Sequence, residues 1–236
     1  MSNDTIDLRR AIQIFDIDEA RIGSPIAEKI WRTQSEPFAS FTSVAVTHWE
    51  MVVTKQRGRM SLTVRGPETH ATVSPIPEDA EFFGVEFRLG TFMPDLPLDT
   101  LVDRALTLPG AGTRSFWLNG SAWEFPTYDN VDVFLRRLAR KRLILPDPIV
   151  TAALDGRRTD ISLRSVQRRI RRATGMTHAV IRQIERAGQA VALLDRGATV
   201  LDVVERLGYA DQPHLTRSLR RFIGHTPAHI VRDRTE

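Results

Sequence analysis

An internal repeat with an offset of 49 residues constrains the fold of this chain more than any other feature of its sequence. Residues 162–175 align without a gap with residues 211–224. The aligned positions pair three arginines and a glycine: Arg168 with Arg217, Arg171 with Arg220, Arg172 with Arg221, and Gly175 with Gly224. A repeat of this length predicts two copies of one supersecondary unit.

Each copy has the pattern of a capped helix with one apolar face and one basic face. Ser162 and Asp211 are the predicted N-caps, because their side-chain oxygens accept hydrogen bonds from the free N–H groups of a first turn. The predicted buried residues are Val166, Ile170 and Ala173 in the first copy and Leu215, Leu219, Phe222 and Ile223 in the second. The opposite faces carry Arg164, Arg168, Arg171 and Arg172, and His214, Arg217, Arg220 and Arg221. Like charges on one helical face repel one another, which favours a polyanionic partner.

A shorter helix precedes the second copy. Thr199 and Asp202 have the spacing of a capping box, and Gly208 supplies a left-handed residue to end the helix. Residues 208–211 form a short turn into the basic helix, so the segment has the dimensions of a helix-turn-helix. Residues 148–154 are the corresponding first helix of the other copy, and residues 177–196 form a long helix between the copies.

The charge distribution also separates two parts of the chain. The net charge is +4, but residues 1–150 carry 17 basic and 20 acidic side chains, whereas residues 151–236 carry 16 and 9. The C-terminal part is therefore the one expected to bind a polyanion.

Short runs of β-forming residues, separated by Gly and Pro, fill much of the N-terminal part between residues 38 and 108. The clearest hairpin joins Trp49–Thr54 to Met60–Val64 through residues 56–59. The predicted fold class is α+β: a β-rich, cupin-like barrel or sandwich in residues 1–145, followed in residues 146–236 by an all-α domain with two helix-turn-helix units.

The C-terminal part resembles the DNA-binding domain of the AraC family of bacterial transcription regulators. The resemblance runs from about Pro148 to Arg232, and its most specific stretch is residues 207–227, LGYADQPHLTRSLRRFIGHTP. It implies two helix-turn-helix units on a connecting helix, with both recognition helices in successive major-groove segments of one duplex.

The resemblance further implies roles for the polar residues of both basic helices. Base edges would be contacted by Arg164, Gln167, Arg168, Gln212, His214 and Arg217. Phosphates would be contacted by Arg171, Arg172, Arg220 and Arg221.

For the N-terminal part the resemblance implies a domain that binds an effector or forms a dimer. The stripe Val131, Phe134, Leu135 and Leu138 predicts a helix that either packs on its own domain or forms the seam of a dimer. The predicted function is a sequence-specific transcription regulator whose partner is double-stranded operator or promoter DNA. RNA polymerase, an unidentified small-molecule effector and a second copy of the chain are further candidate partners.

A cupin-like enzyme with an appended DNA-binding module is the alternative from another class. We expect instead no enzymatic activity, no cofactor and no metal site, because His48 and His70 lack clustered ligand spacing and no catalytic motif is found. The absence of cysteine excludes disulfides, thiolate ligands and the acceptor thiol of DNA-repair methyltransferases with this helix-turn-helix type. Without a long apolar run or a signal-peptide pattern, the expected location is the cytoplasm, at the nucleoid when DNA is bound.

Overall fold

A computed structural model of the chain describes residues 17–35 and 40–233. Within these ranges the N-terminal region is rich in strands. In chain order they are β1 (Asp18–Arg21), β2 (Ala27–Gln34), β3 (Ser40–Ser43), β4 (Glu50–Gln56), β5 (Arg59–Arg65), β6 (Thr72–Pro75), β7 (Ala80–Phe87), β8 (Thr91–Phe92), β9 (Ala105–Thr107), β10 (Gly110–Gly112), β11 (Ser115–Leu118), β12 (Ser121–Glu124) and β13 (Leu145–Pro146). A short 3-10 helix, Leu98–Thr100, lies between β8 and β9.

The largest sheet is open rather than closed. Its strand order is β1-β2-β7-β4-β5-β9, and each neighbouring pair is antiparallel. The remaining strands form a three-stranded sheet, β10-β11-β12, and the two pairs β3-β6 and β8-β13. The prediction of a strand-rich N-terminal region is confirmed, but its barrel alternative is wrong for the described residues, since the short edge strands β1 and β9 do not pair with each other.

Two tight hairpins depend on paired residues with positive φ. In the predicted β4–β5 hairpin, Arg57 and Gly58 have φ values of 48° and 76°, which gives the twist that a two-residue hairpin needs. The hairpin β11–β12 turns in the same way at Asn119 and Gly120, with φ values of 48° and 71°. That second hairpin lies outside the predicted strand runs, although an Asn-Gly pair is a strong hairpin signal.

The core of the strand-rich region includes the helix that follows it, α1 (Val131–Arg140). The stripe Val131, Phe134, Leu135 and Leu138 is buried there against Phe116 and Trp123. The predicted helix is therefore present, and of its two predicted roles the one observed is packing on its own chain.

Residues 148–233 are mainly helical, and their first five helices follow the predicted bounds closely, whereas the last one was not predicted. The helices are α2 (Pro148–Leu154), α3 (Leu163–Thr174), α4 (His178–Asp195), α5 (Val200–Leu207), α6 (Gln212–Phe222) and α7 (Pro227–Asp233). α4 lies between the two repeated units, and at 1.5 Å per residue its 18 residues span roughly 27 Å.

A second hydrophobic core joins the helices to the strand-rich region. Its buried residues include Ile170, Ile184, Val191, Leu215 and Leu219 from the helices. Val44 and Ala45, which follow β3, are buried in the same cluster. The N-terminal region therefore contributes directly to the core that carries both repeated units.

Candidate nucleic-acid interface

α5 and α6 form the second helix-turn-helix unit, closed by the predicted caps. The Thr199 hydroxyl accepts a hydrogen bond from the Asp202 N–H at 3.1 Å, and the Asp202 carboxylate accepts one from the Thr199 N–H at 3.0 Å. Hydrogen bonds from the Thr199 hydroxyl, and secondly from its backbone, hold the pKa of Asp202 below its usual value. Gly208 then leaves α5 with φ 67°, and Asp211 caps α6 by accepting from the His214 N–H at 2.6 Å.

α2 and α3 form the first unit, and a partly buried ion pair joins them. Asp147 caps α2, because its Oδ1 accepts a hydrogen bond from the Ile149 N–H at 3.0 Å. Its Oδ2 accepts a hydrogen bond from the Arg169 guanidinium at 2.8 Å. The Asp147 side chain is nearly buried, so this pair fixes α3 against the start of α2. The connection between the helices, residues 155–162, is longer than the turn of the second unit.

The predicted DNA-contacting residues lie opposite the buried faces of α3 and α6. On α3 the exposed set is Arg164, Gln167, Arg168, Arg171 and Arg172, and on α6 it is Gln212, Arg217, Arg220 and Arg221. The predicted buried residues, among them Ile170 and Leu219, are indeed inside. Within the described part of the chain, none of these arginines has a carboxylate within ion-pair distance. Both helices therefore present unneutralised positive charge to solvent.

His214 is placed differently from the other predicted residues. It is half-buried, and its Nδ1 accepts a hydrogen bond from the Ala210 N–H at 3.3 Å. Its ring meets Tyr209 edge to face, with the centroids 5.2 Å apart. His214 thus supports the turn of the second unit, and its contact with a base stays a prediction.

Three arginines of α3 also face the N-terminal region across a cleft. The cleft has a volume of about 380 Å³ and is lined by Phe92, Met93, Pro94, Pro97, Asp99, Arg168, Arg171 and Arg172. The Arg172 guanidinium carbon lies 5.2 Å from the centroid of the Phe92 ring. The C-terminal end of α3 therefore faces the N-terminal region on the same side of the helix where phosphate contacts are predicted.

The end of α6 is held by the N-terminal region as well. The Ala71 N–H donates a hydrogen bond to the Arg221 carbonyl at 2.8 Å, and the Ala45 N–H donates one to the Phe222 carbonyl at 2.7 Å. Carbonyls of the last helical turn have no partner inside the helix, so these two bonds satisfy groups that are otherwise free. Both recognition helices are thus contacted at their C-terminal ends by residues from the first half of the chain.

Two residues missing from the predicted contact set share the outward faces of these helices. Leu163 is exposed at the start of α3, and Thr216 is half-exposed on α6. The repeat indicates both positions, because its offset aligns Leu163 with Gln212 and Thr216 with Gln167, and both glutamines are predicted to contact bases.

One comparison with known protein families agrees with this arrangement. Residues 156–233 match the family model of a helix-turn-helix domain. Two crystal structures of ToxT from Vibrio cholerae are structural neighbours at 7% sequence identity. The first has a TM-score of 0.39 over 91% of this chain and 96% of that chain, and the second 0.37 over 92% and 98%. No curated protein matches the chain.

The family match and the capped helices define the class of the C-terminal part, a helix-turn-helix domain that binds DNA. Residues 156–233 are thus a helix-turn-helix domain of the AraC type, as the resemblance predicts.

The described residues contain neither a cluster of metal ligands nor a helix suited to a membrane. Residues 17–35 and 40–233 contain no group of three or more His, Asp and Glu side chains arranged to hold a metal ion. No helix in these ranges has the length and apolar character needed to cross a membrane.

Proposed function

We propose that this protein is a transcription regulator of the AraC family that recognises a specific DNA sequence with both α3 and α6. The two helices are placed in successive major-groove segments on one side of the duplex. The observation that carries the proposal is the pair of capped helices, each with an exposed basic face opposite a buried apolar face. The connecting helix α4 packs against α5 and α6 and also contacts α3, which supports a fixed relation between the two recognition helices.

The roles of individual side chains follow from their chemistry. Arg164, Arg168 and Arg217 suit guanine, since a guanidinium donates two hydrogen bonds to its O6 and N7 atoms. Gln167 and Gln212 suit adenine, since a side-chain amide donates a hydrogen bond to N7 and accepts one from the N6 amino group. Phosphates are the proposed partners of Arg171, Arg172, Arg220 and Arg221, and His214 is proposed to reach a base edge from the first turn of α6.

We propose residues 1–145 and 146–236 as the two domains. The junction is tied to the N-terminal domain, because Leu145 in β13 pairs with Phe92 in β8 and the Asp147 N–H donates to the Gly90 carbonyl at 2.9 Å. We propose that the protein acts in the cytoplasm, at chromosomal DNA, without enzymatic activity.

The N-terminal domain is proposed to control DNA binding through its contacts with both recognition helices. Arg168, Arg171 and Arg172 face five residues of this domain across the cleft: Phe92, Met93, Pro94, Pro97 and Asp99. Ala45 and Ala71 hold the end of α6. A phosphate that contacts Arg171 or Arg172 has to share this space with Asp99 and Phe92. A change in the N-terminal domain, caused by an effector or by dimerisation, would therefore alter the arginines available to DNA.

Binding to genomic DNA tests the proposed function. Fragments from the organism's own genome are selected with the full-length protein, and the enriched site is titrated in a mobility-shift assay at several salt concentrations. We expect enrichment of a defined sequence and an affinity that falls as salt rises, because phosphate contacts release counterions. Equal retention of all fragments, or no retention at low salt, would overturn the proposal.

A further inference from the structure

The side chain of Leu163 projects from the outer surface of the first recognition helix. It is the first residue of α3 and is 73% exposed, the largest exposed fraction among the large apolar side chains of the described residues. Leu201 on α5 has nearly the same exposed fraction, 71%. A single exposed leucine is common on protein surfaces. Whether Leu163 has a function therefore depends on its position on α3.

Leu163 belongs to the same helical face as the predicted DNA contacts. Steps of four residues along α3 bring Leu163, Gln167 and Arg171 to one side, since residues four apart are neighbours on a helix surface. All three are exposed, and Arg164 and Arg168 lie beside them. The cleft facing the N-terminal region is lined by Arg168, Arg171 and Arg172 but not by Leu163 or Arg164, so the first turn of α3 lies outside that contact.

The repeat aligns Leu163 with Gln212, one of the residues predicted to contact a base. Each is the first residue of its helix, directly after the N-cap, and each is exposed. Residues near the start of a recognition helix are the ones that contact base edges. Gln212 can exchange hydrogen bonds with adenine, whereas Leu163 has only methyl and methylene groups to offer.

We propose that Leu163 is a specificity-determining residue that contacts the 5-methyl group of a thymine in the major groove. The thymine methyl is the apolar group that base pairs display there, and apolar side chains recognise it. Arg171 and Arg172, the proposed phosphate contacts of α3, would hold the helix in the groove, where the Leu163 side chain can reach a base. The inference rests on the proposed function, because it requires α3 to enter the groove.

A thymine-to-deoxyuridine scan of the selected site tests this inference, since the replacement removes only the methyl group. For the wild-type protein we expect one replacement in the half bound by α3 to weaken binding about threefold to fivefold, the factor that corresponds to one buried methyl or methylene group. The Leu163→Ala variant should bind the unmodified site more weakly and should lose sensitivity to that one replacement only. The Leu163→Gln variant, which copies Gln212, should shift the preference at that base pair toward adenine.

Leu201→Ala is the matched control, because it removes an equally exposed leucine outside the recognition helices. It should keep the wild-type affinity and the full response to deoxyuridine. Specific binding with no response to any replacement under α3, or with the same response in wild type and Leu163→Ala, would overturn this inference alone. Failure of the wild type to select any sequence would overturn the proposed function as well, so the two failures are distinguishable.

Discussion

The backbone N–H of Ala71 and the carbonyl of Arg221 form a hydrogen bond of 2.8 Å between the strand-rich region and the second recognition helix. Gly224 lies just beyond it, in the left-handed conformation with φ 87°. A Cβ atom at Gly224 would lie 2.8 Å from Thr42 Cγ2 and 3.3 Å from Ala71 Cβ. The two regions therefore approach too closely here for any larger residue.

Substitution of Gly224 by Ala should weaken this contact. We expect a larger loss of unfolding free energy for Gly224→Ala than for Gly208→Ala, because both glycines have positive φ but a Cβ at Gly208 meets nothing within 4 Å. The left-handed conformation costs each alanine about 1 to 2 kcal/mol, and overpacking at Thr42 adds roughly 1 kcal/mol or more. Denaturant unfolding of both variants measures the difference. Equal losses would show that the contact adds nothing to stability.

Removal of the Asp99 charge should strengthen DNA binding. Asp99 shares the cleft with Arg168, Arg171 and Arg172, where its carboxylate repels an incoming phosphate. We expect Asp99→Asn to raise the affinity about twofold to threefold, which corresponds to the roughly 0.5 kcal/mol typical of exposed charge interactions. Asp95→Asn is the control, because Asp95 is exposed on the same loop but does not line the cleft. Identical titrations for the two variants would argue against a restraining role for the Asp99 carboxylate.

Loss of the Arg169 side chain should destabilise the first unit. Arg169→Ala removes the partner of the nearly buried Asp147, for which we expect a loss of about 1 kcal/mol, discounted because Arg169 is 47% exposed. Arg157→Ala breaks a pair of similar length to Asp155, but both of its side chains are largely exposed, so a loss below about 0.5 kcal/mol is expected. Thermal unfolding measures the loss of stability in each variant relative to the wild type. The hypothesis fails if Arg157→Ala costs as much as Arg169→Ala.

Acid should weaken the cap of α5. Because the pKa of Asp202 is lowered by Thr199, its ionised form stabilises the folded state above the unfolded pKa, and this stability is lost as the pH falls through the lower folded pKa. The destabilisation caused by Asp202→Asn, measured by unfolding at a series of pH values, should therefore be full at neutral pH and should shrink below about pH 4. A difference from wild type that stays constant down to pH 2 would contradict this account.

The helical half was predictable because its signals are local. Ser162, Thr199, Asp202 and Asp211 specify caps through their own hydrogen bonds, and the apolar spacing of each helix identifies its buried face. The strand β2 was missed, since Glu28, Lys29 and Arg32 interrupt its apolar alternation and its pairing with β7 is long-range.

The candidate site was predictable only as far as the repeat extends. The exposed positions on α3 and α6 follow from helix geometry, but the contacts of Phe92 with Arg172 and of Ala71 with Arg221 join distant parts of the chain. No local pattern encodes such contacts, and the turn contact of His214 with Ala210 competes with the outward position that helix spacing predicts.

Hydroxyl-radical footprinting on the selected site tests most directly the central claim that both recognition helices bind one duplex. We expect two protected segments about one helical turn apart on the same face. Arg168→Ala should lose protection in one segment and Arg217→Ala in the other, with affinity lower by about tenfold or more in each, whereas Arg136→Ala on α1 should leave both unchanged. A single protected segment that is lost in Arg217→Ala and unaffected by Arg168→Ala would contradict the account.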